Sequence, residues 1–315
     1  MNPLQPFLEN QPFLLLDGAL ATELERRGAT LDDPLWSAKI LIEAPELIRE
    51  VHLAYFKAGA DVATTASYQA TIRGFQKRGL TEPEAAEMLR RSVHLACEAR
   101  DEFWSKKENR TNRLRPLVAA SIACYGAFLA DGSEYRCNYD MSQKALENFH
   151  RQRLQILADT EADLLAFETI PNLDEAKALV NLLSEIPGKA AWLSFSCLDE
   201  QSICNGDPFE EAASLANESD QILAVGVNCT NPAFVEALLK KAAAVTSKPL
   251  VAYPNSGEKW DATHHCWLPT DDQFDLPNLA KKWLAASAKL IGGCCRTSPE
   301  DIRQLARLKN SFLLV

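Results

Sequence analysis

The sequence predicts an α/β protein that folds as one (β/α)8 barrel, or TIM barrel, in a single domain spanning residues 1–315. Three observations predict this fold. Eight short apolar runs recur at fairly even intervals, each is followed by a segment of helical periodicity, and no linker rich in Pro, Gly or Ser divides the chain. An open, doubly wound sheet is the alternative that the same pattern leaves.

The candidate strands are apolar throughout instead of alternating with polar residues, which is typical of parallel strands covered by helices. In chain order the runs are FLLLDGA from Phe13, DVATTASY from Asp61, LVAASI from Leu117, DLLAFET from Asp163, AWLSFSC from Ala191, ILAVGVNC from Ile222, PLVAYPN from Pro249 and KLIGGCC from Lys289. Between them, segments such as PELIREVHLAYFKAGA and LDEAKALVNLLSEI place apolar residues three and four apart, as an amphipathic helix does.

Two helix starts carry recognisable capping signals. Thr81 is followed three residues later by Glu84, which predicts a capping box. In the stretch SPEDI, Pro299 occupies the first turn of the last helix. The local signals therefore agree with the repeating βα pattern.

Composition and charge favour small-molecule partners. The 315 residues are 47% hydrophobic, with Lys+Arg 33 against Asp+Glu 43 and a formal net charge of −10. No run of like charges resembles a nucleic-acid arm or a membrane-binding patch, and no apolar stretch predicts a signal peptide or a membrane span. We expect a cytoplasmic monomer that binds neither nucleic acid nor membrane.

Most of the predicted strands end in a residue capable of chemistry, and in a barrel all of these ends meet at one mouth. They are Asp17 and Gly18, Thr65 to Gln69, Ser121 and Tyr125, Glu168 and Thr169, Ser196 and Cys197, Asn228 and Cys229, Tyr253 to Asn255, and Cys294 and Cys295. Two longer connections, YGAFLADGSEYRCNYDMS and SGEKWDATHHCWLPTDDQFD, follow the third and seventh strands and are candidate lids.

The cysteines at the ends of the sixth and eighth strands predict a metal site. Cys229, Cys294 and Cys295 are separated around the barrel by the seventh strand alone, and three thiolates without a fourth ligand describe a zinc site with an open position. Because adjacent side chains on a strand point to opposite faces, the backbone must turn there, for which Gly292 and Gly293 supply the freedom. A redox pair of adjacent cysteines is the alternative.

Other candidate residues admit ordinary structural readings. The remaining cysteines are interpreted as small buried hydrophobes. Asp17 and Glu168 either have a structural role, capping the following helix or accepting backbone hydrogen bonds, or bind a ligand. HHC from His264 is interpreted as a surface loop, and the aromatic residues of the long connections as packing residues in preference to walls for a cationic ligand; these are Trp260, Trp267 and Tyr135.

With these residues in view, the chain resembles the homocysteine S-methyltransferase family, in particular the branch that uses S-methylmethionine. The matching stretches run in order along almost the whole chain. They are LLLDGALATELERRG, LWSAKILIEAPELIREVHLAYFKAGADVATTASYQAT, FLADGSEYR, LLAFETIPN, VGVNC, YPNSGE and LIGGCCRTSP. The betaine-dependent enzymes and the homocysteine domain of cobalamin-dependent methionine synthases are related.

The resemblance implies one zinc ion per chain, held by the three cysteines named above, with the sulfur of L-homocysteine as the fourth ligand. It implies that Asp17 and Glu168 hold the amino group of homocysteine and that the backbone around Gly18 approaches its carboxylate. Tyr125 and Asn228 complete the predicted substrate-binding set. The implied donor is a sulfonium, either S-methylmethionine or S-adenosylmethionine, and the product is methionine.

One departure from the family pattern concerns the turn after the third strand. The family usually has Gly-Pro-Tyr-Gly, whereas this chain has Ala123 and Cys124 before Tyr125. The alternatives at this stage are selenocysteine or another thiol as acceptor, a corrinoid partner protein, a zinc hydrolase or aldolase, and a redox protein without methyltransferase activity.

Overall fold

In the computed structural model the described residues are 2–137, 139–261, 266–268 and 274–313. Strands form at each of the eight predicted apolar runs, and a short hairpin is added after the seventh. The strands are β1 Leu14–Leu15, β2 Val62–Thr64, β3 Leu117–Ala123, β4 Leu164–Ile170, β5 Ala191–Phe195, β6 Ile222–Asn228, β7 Leu250–Tyr253, β8 Lys259–Asp261, β9 Cys266–Leu268 and β10 Ala288–Ile291.

The predicted (β/α)8 barrel is confirmed by the strand order. Eight strands pair in parallel in the order β1-β10-β7-β6-β5-β4-β3-β2. A parallel bridge between Leu16 and Val62 then joins the two ends of the sheet. Because all the strands point the same way, their carboxyl ends lie around one rim. The hairpin β8–β9 is antiparallel and lies in the connection that follows β7.

Helices alternate with the strands, as the sequence pattern predicts. The proposed capping box is present, since the backbone N–H of Thr81 donates to Glu84 Oε2 at 2.7 Å. The helices are α1 Gln5–Asn10, α2 Leu20–Arg26, α3 Ile40–Glu43, α4 Pro45–Ala58, α5 Ile72–Lys77, α6 Glu82–Ser105, α7 Tyr125–Leu129, α8 Ser133–Arg136, α9 Gln143–Ala158, α10 Leu173–Ser184, α11 Phe209–Ser214, α12 Pro232–Val245, α13 Leu276–Ala285 and α14 Pro299–Leu313.

The interior of the barrel is filled with side chains, and one of its ends is plugged. Leu4 lies just before α1 and Phe7 lies on it. Both belong to a buried cluster with Leu14, Leu16 and inward-facing residues of the other strands, including the fully buried Trp192. Since α1 precedes β1, this plug lies at the amino-terminal end of the strands. The opposite rim, where the strands end, is the part of the barrel that this plug does not cover.

The predicted long connection after β3 forms the short helices α7 and α8. Cys124, at the position where the family has proline, has φ −65° and ψ 167°, which is the φ that proline would impose. The backbone N–H of Tyr125 donates to Glu175 Oε1 at 2.6 Å, and Arg153 donates to the carbonyl oxygen of Ala123. The turn therefore keeps a proline-like path, fixed by side-chain hydrogen bonds instead of a proline ring.

Within the described ranges, every helix is too short or too polar to span a lipid bilayer.

Candidate active site at the carboxyl ends of the strands

Three cysteines meet at the carboxyl-terminal rim. Cys229 Sγ lies 3.2 Å from Cys294 Sγ and 3.7 Å from Cys295 Sγ, and all three sulfur atoms lie within 4.8 Å of one another. Cys229 follows β6, whereas the adjacent pair follows β10, so residues 65 positions apart in sequence form one group. We call these three residues the cysteine triad.

The residues after β7 hold the triad together through backbone hydrogen bonds. The N–H of Cys229 donates to the carbonyl oxygen of Tyr253 at 3.3 Å, and the N–H of Cys294 donates to that of Pro254 at 2.8 Å. The N–H of Ser256 donates to the carbonyl oxygen of Cys295 at 3.1 Å. The backbone of the YPNS stretch thus fixes the spacing between the two strands that carry the cysteines.

Gly292 and Gly293 have a role different from the predicted one. Neither has a positive φ; both allow close packing instead. A Cβ at Gly292 would lie 2.6 Å from the Cβ of Leu16, and one at Gly293 would lie 2.4 Å from Thr297 Oγ1. The glycines therefore let the chain after β10 approach Leu16, just after β1, and Thr297, just before α14. The N–H of Gly293 donates to the carbonyl oxygen of Asp17 at 3.1 Å, which places the cysteine pair one residue from this contact.

Left-handed backbone at the strand ends occurs in residues that are not glycine, namely Thr169, Cys229 and Arg296, which follows the cysteine pair. Cys229 has φ 49° and Thr169, after Glu168, has φ 59°, a conformation that costs free energy in residues with a side chain. The amide of Asn228 holds Thr169 in place: Oδ1 accepts from the N–H of Thr169 at 2.7 Å, and Nδ2 donates to Thr169 Oγ1 at 2.8 Å. The Oδ1 atom also accepts from Ser194 Oγ at 2.9 Å.

Asn228 was predicted to bind substrate, but its side chain is fully buried and makes these three hydrogen bonds within the barrel. Its contacts make it a positioning residue. It ties the end of β6, where Cys229 lies, to the end of β4, where Glu168 lies. A role in contacting substrate stays a prediction that these contacts do not support.

Asp17 and Glu168 are buried carboxylates at the same rim. Asp17 accepts hydrogen bonds from the N–H of Thr64 at 2.8 Å and from its hydroxyl at 3.1 Å. Glu168 accepts from Ser121 Oγ, and from the hydroxyl of Tyr253 at 3.1 Å. Neither carboxylate caps a helix, so the capping interpretation left open by the sequence does not apply.

Burial controls the charge of these two groups. Loss of solvent raises the pKa of Asp17 to about 8, against the opposing hydrogen bonds from Thr64 and with a further rise from Glu168. Burial likewise raises the pKa of Glu168 to about 7, and the thiolate of Cys229 adds to the rise. Neither carboxylate has a salt-bridge partner among the described residues, so the two together provide a strong site for a cation such as an ammonium group.

Gly18 is needed where it stands because a Cβ there would lie 2.8 Å from Thr297 Oγ1. The same Thr297 hydroxyl accepts from the N–H of Ala19 at 3.2 Å and donates to the carbonyl oxygen of Cys294 at 2.7 Å. Gly18 thus allows the loop after β1 to pack against the start of α14. Its predicted approach to a substrate carboxylate stays a prediction.

Tyr125, another predicted substrate contact, packs its ring among Phe128, Tyr139 and Phe149, with centroids 5.7, 5.3 and 4.8 Å away. These contacts describe a structural aromatic cluster under α7. The structure does not bring the Tyr125 ring to the cysteine triad through any described contact, and its role with substrate stays a prediction.

Sequence reasoning missed the part played by α8. The hydroxyl of Tyr135 lies 3.1 Å from Cys229 Sγ, a contact that neither sequence interpretation, packing residue or wall for a cationic ligand, predicted. The SEYR stretch lies within the long connection after β3, but nothing in its spacing indicated how that connection folds. Trp260 and Trp267 have no described side chains, and His264 lies outside the described residues.

The triad has the geometry and chemistry of a metal site. Hydrogen bonds from Cys294 and Cys295 lower the pKa of the Cys229 thiol well below its usual range, whereas the thiolate of Cys229 raises the pKa of the other two. Tetrahedral zinc at about 2.3 Å from each sulfur requires sulfur atoms about 3.8 Å apart, which is close to the separations observed here.

Comparison with known proteins gives a consistent result. A family profile described as homocysteine S-methyltransferase matches residues 14–308. A homocysteine S-methyltransferase of Bacillus subtilis, YbgG, is 52% identical over 312 residues, covering 99% of each chain. A selenocysteine Se-methyltransferase of Brassica oleracea is 46% identical and covers 94% of this chain and 89% of its own. The metallated form of the Escherichia coli homocysteine methyltransferase MmuM superposes with a TM-score of 0.88, 46% identity and coverage of 97% and 99%.

The amide of Asn228 provides the first prediction. In Asn228→Ala, Thr169 loses two hydrogen bonds and can leave its left-handed conformation, so the free energy of unfolding should fall by about 2–4 kcal/mol. The affinity of the triad for a thiophilic metal should fall as well, because Cys229 is the next residue. Urea unfolding and a metal titration measure the two effects. Asn181→Ala, an exposed change on α10, is the matched control, and equal behaviour of the two variants would contradict this role.

The raised pKa of Glu168 gives the second prediction, made for the metal-free protein. The pKa of Glu168 in the folded protein is about 7, above the ordinary value of 4.5. As pH rises from about 4.5 to 7 the unfolded chain loses this proton more readily than the folded protein, so the free energy of unfolding falls over that interval. Glu168→Gln cannot ionise and should therefore become more stable than wild type over that interval, by up to about 3 kcal/mol above pH 7. Thermal unfolding from pH 4.5 to 8.5 checks this. A stability difference between the variant and wild type that does not change with pH would refute it.

Proposed function

The chain belongs to the homocysteine S-methyltransferase family and methylates homocysteine to methionine, and we propose that its donor is a sulfonium and that a zinc ion at the cysteine triad holds the acceptor thiol. The observation that carries the proposal is the placement of three converging sulfur atoms beside two buried carboxylates, Asp17 and Glu168, at one rim of the barrel. A thiol that also bears an ammonium group fits both features.

The triad residues would supply three of the four ligands of zinc. When bound, zinc supplies acidity to a thiol in the open position, so that the substrate sulfur is a thiolate and a nucleophile at neutral pH. The protein contributes the fixed geometry, because the backbone of Tyr253, Pro254 and Ser256 sets the spacing of the cysteines. The hydroxyl of Tyr135 donates to Cys229 Sγ, which orients this ligand from outside the metal shell.

Asp17 and Glu168 would bind the ammonium of homocysteine. Because their pKa values are raised, a fraction of Asp17 and Glu168 is protonated in the free enzyme near neutral pH. A bound ammonium group would favour the ionised form of both carboxylates. The hydroxyls of Thr64, Ser121 and Tyr253 fix the carboxylate planes. This pairing positions the homocysteine sulfur relative to the triad and so contributes to alignment for attack.

A sulfonium donor suits the remaining residues. It carries its own leaving group and needs no general acid, so the protein has only to align the attacking sulfur, the methyl group and the leaving sulfur. The described histidines, His52, His94 and His150, lie on α4, α6 and α9 and not at the strand ends. S-methylmethionine is the proposed donor, with S-adenosylmethionine as the sulfonium to be compared with it.

The remaining features of the proposal concern the context of the enzyme. We take residues 1–315 as one homocysteine-binding barrel that acts as a monomer on small molecules in the cytoplasm. A second acceptor, selenocysteine, is favoured by one specific observation, the 46% identity to the Brassica oleracea selenocysteine Se-methyltransferase. Competition between homocysteine and selenocysteine for a limiting donor decides between the two acceptors.

The third prediction tests the zinc site and the reaction together. Wild type prepared under reducing conditions should contain about one zinc per chain and form methionine from homocysteine and S-methylmethionine. In Cys294→Ser the zinc content should fall well below that, and the rate should drop by more than about a hundredfold because a metal ligand, and not an outer partner, is lost. Elemental analysis and methionine assay of the same samples measure both.

Cys97→Ser is the matched control, since Cys97 is buried on α6 and does not belong to the triad. It should keep both zinc and activity. The proposed mechanism fails if wild type holds no zinc after metal repletion and Cys294 and Cys295 instead cycle between thiol and disulfide. These two cysteines would then be a redox pair, and Cys229 would only lie beside them.

A further inference from the structure

Glu134, on α8, is a charged group at the rim that neither the metal site nor the ammonium site uses. It precedes Tyr135, whose hydroxyl is 3.1 Å from Cys229 Sγ, so α8 lies against the triad. The carbonyl oxygen of Glu134 accepts from Ser196 Oγ at 3.0 Å. A Cβ at Gly126 would meet the N atom of Glu134 at 2.6 Å, which shows how closely α7 supports this residue.

The carboxylate of Glu134 is poorly satisfied for its position. Its Oε2 atom is buried and has no hydrogen-bond partner among the described residues. Glu175, the other buried glutamate of this region, accepts from the N–H of Tyr125, from His150 and from the hydroxyl of Tyr139. A buried carboxylate oxygen without a donor is unfavourable unless a partner arrives. The contrast indicates that Glu134 meets its partner in a complex.

The surroundings of Glu134 favour a cationic partner. Burial raises the pKa of Glu134 to about 7, and the negative charges of Cys229 and Asp131 add to the rise against a smaller opposing effect of Arg136. Among the described residues, Glu134 shares no hydrogen-bond partner with Asp17 or Glu168, whose partners are Thr64, Ser121 and Tyr253. We therefore treat Glu134 as a group apart from the ammonium site.

We propose that Glu134 is a donor-specificity residue whose carboxylate pairs with the positive sulfur of the sulfonium donor. The inference rests on the proposed function, because it assigns a partner to the second substrate of that reaction. It gives α8 two adjacent contributions at the rim: Tyr135 contacts the metal ligand Cys229, and Glu134 contacts the donor.

The charge changes of the reaction fit this pairing. As the homocysteine thiolate forms a bond to the methyl carbon, the bond from that carbon to the donor sulfur breaks and its electron pair stays on the donor sulfur. The sulfonium thereby becomes a neutral thioether, and its attraction to Glu134 disappears. The pair is stronger with the bound donor than in the transition state, so it contributes to donor binding and to product release more than to kcat.

The test uses the zinc-loaded enzyme and two ligands of nearly equal shape. S-methylmethionine carries a positive sulfur, whereas 2-amino-5-methylhexanoate has a neutral CH in its place. In Glu134→Gln the dissociation constant and the KM for S-methylmethionine should rise by at least about tenfold, as for loss of one member of a buried charge pair. Binding of the neutral analogue, measured by calorimetry and by inhibition against the donor, should change by less than about twofold.

Glu98→Gln is the matched control, since it makes the same chemical change at an exposed position on α6 and should leave both ligands bound as in wild type. Zinc content and the KM for homocysteine should be unchanged in Glu134→Gln, which separates the effect from damage to the rim. Equal weakening of both ligands, or no change in either, would overturn the role of Glu134. Absence of methyl transfer from any sulfonium by wild type would instead overturn the proposed function.

Discussion

The amide of Asn228 is the interaction on which the geometry of the rim depends. It hydrogen-bonds the backbone and the side chain of Thr169 and so stabilises a left-handed residue at the end of β4. Its own chain neighbour, Cys229, is left-handed as well and begins the metal site. One buried side chain therefore links the carboxylate end of the site to the sulfur end, and strain stored at both positions is held by the packed barrel around them.

The other residues of the site come either from the ends of the barrel strands or from the connection after β3. Strand ends supply the cysteine triad and the carboxylates Asp17 and Glu168, and these positions are fixed by the parallel register of the barrel. The connection after β3 supplies Glu134 and Tyr135 from a short helix that rests on side-chain hydrogen bonds and on Gly126. The proposed acceptor site thus lies on the barrel scaffold, and the proposed donor contact lies on the connection after β3. This division suits a fold that varies its substrates through its loops.

Much of this arrangement could be predicted from the sequence. The apolar runs gave the strands, and the position of Cys229, Cys294 and Cys295 after the sixth and eighth runs was enough to predict that they meet. The sequence could not predict which residues absorb the backbone strain: glycines were expected to turn, but Gly292 and Gly293 provide close packing. It also could not predict the contact of Tyr135 with Cys229, because that contact depends on the path of an irregular connection and not on strand periodicity.

The open coordination position at the triad is the central claim, and X-ray absorption at the zinc edge tests it most directly. The zinc-loaded enzyme should have three sulfur ligands at about 2.3 Å together with one lighter ligand. Saturating homocysteine should replace the lighter ligand, so that the sulfur number rises to four at the same distance. A sulfur number that remains at three with homocysteine bound would contradict direct coordination of the acceptor, and the thiolate would then have to be formed without the metal.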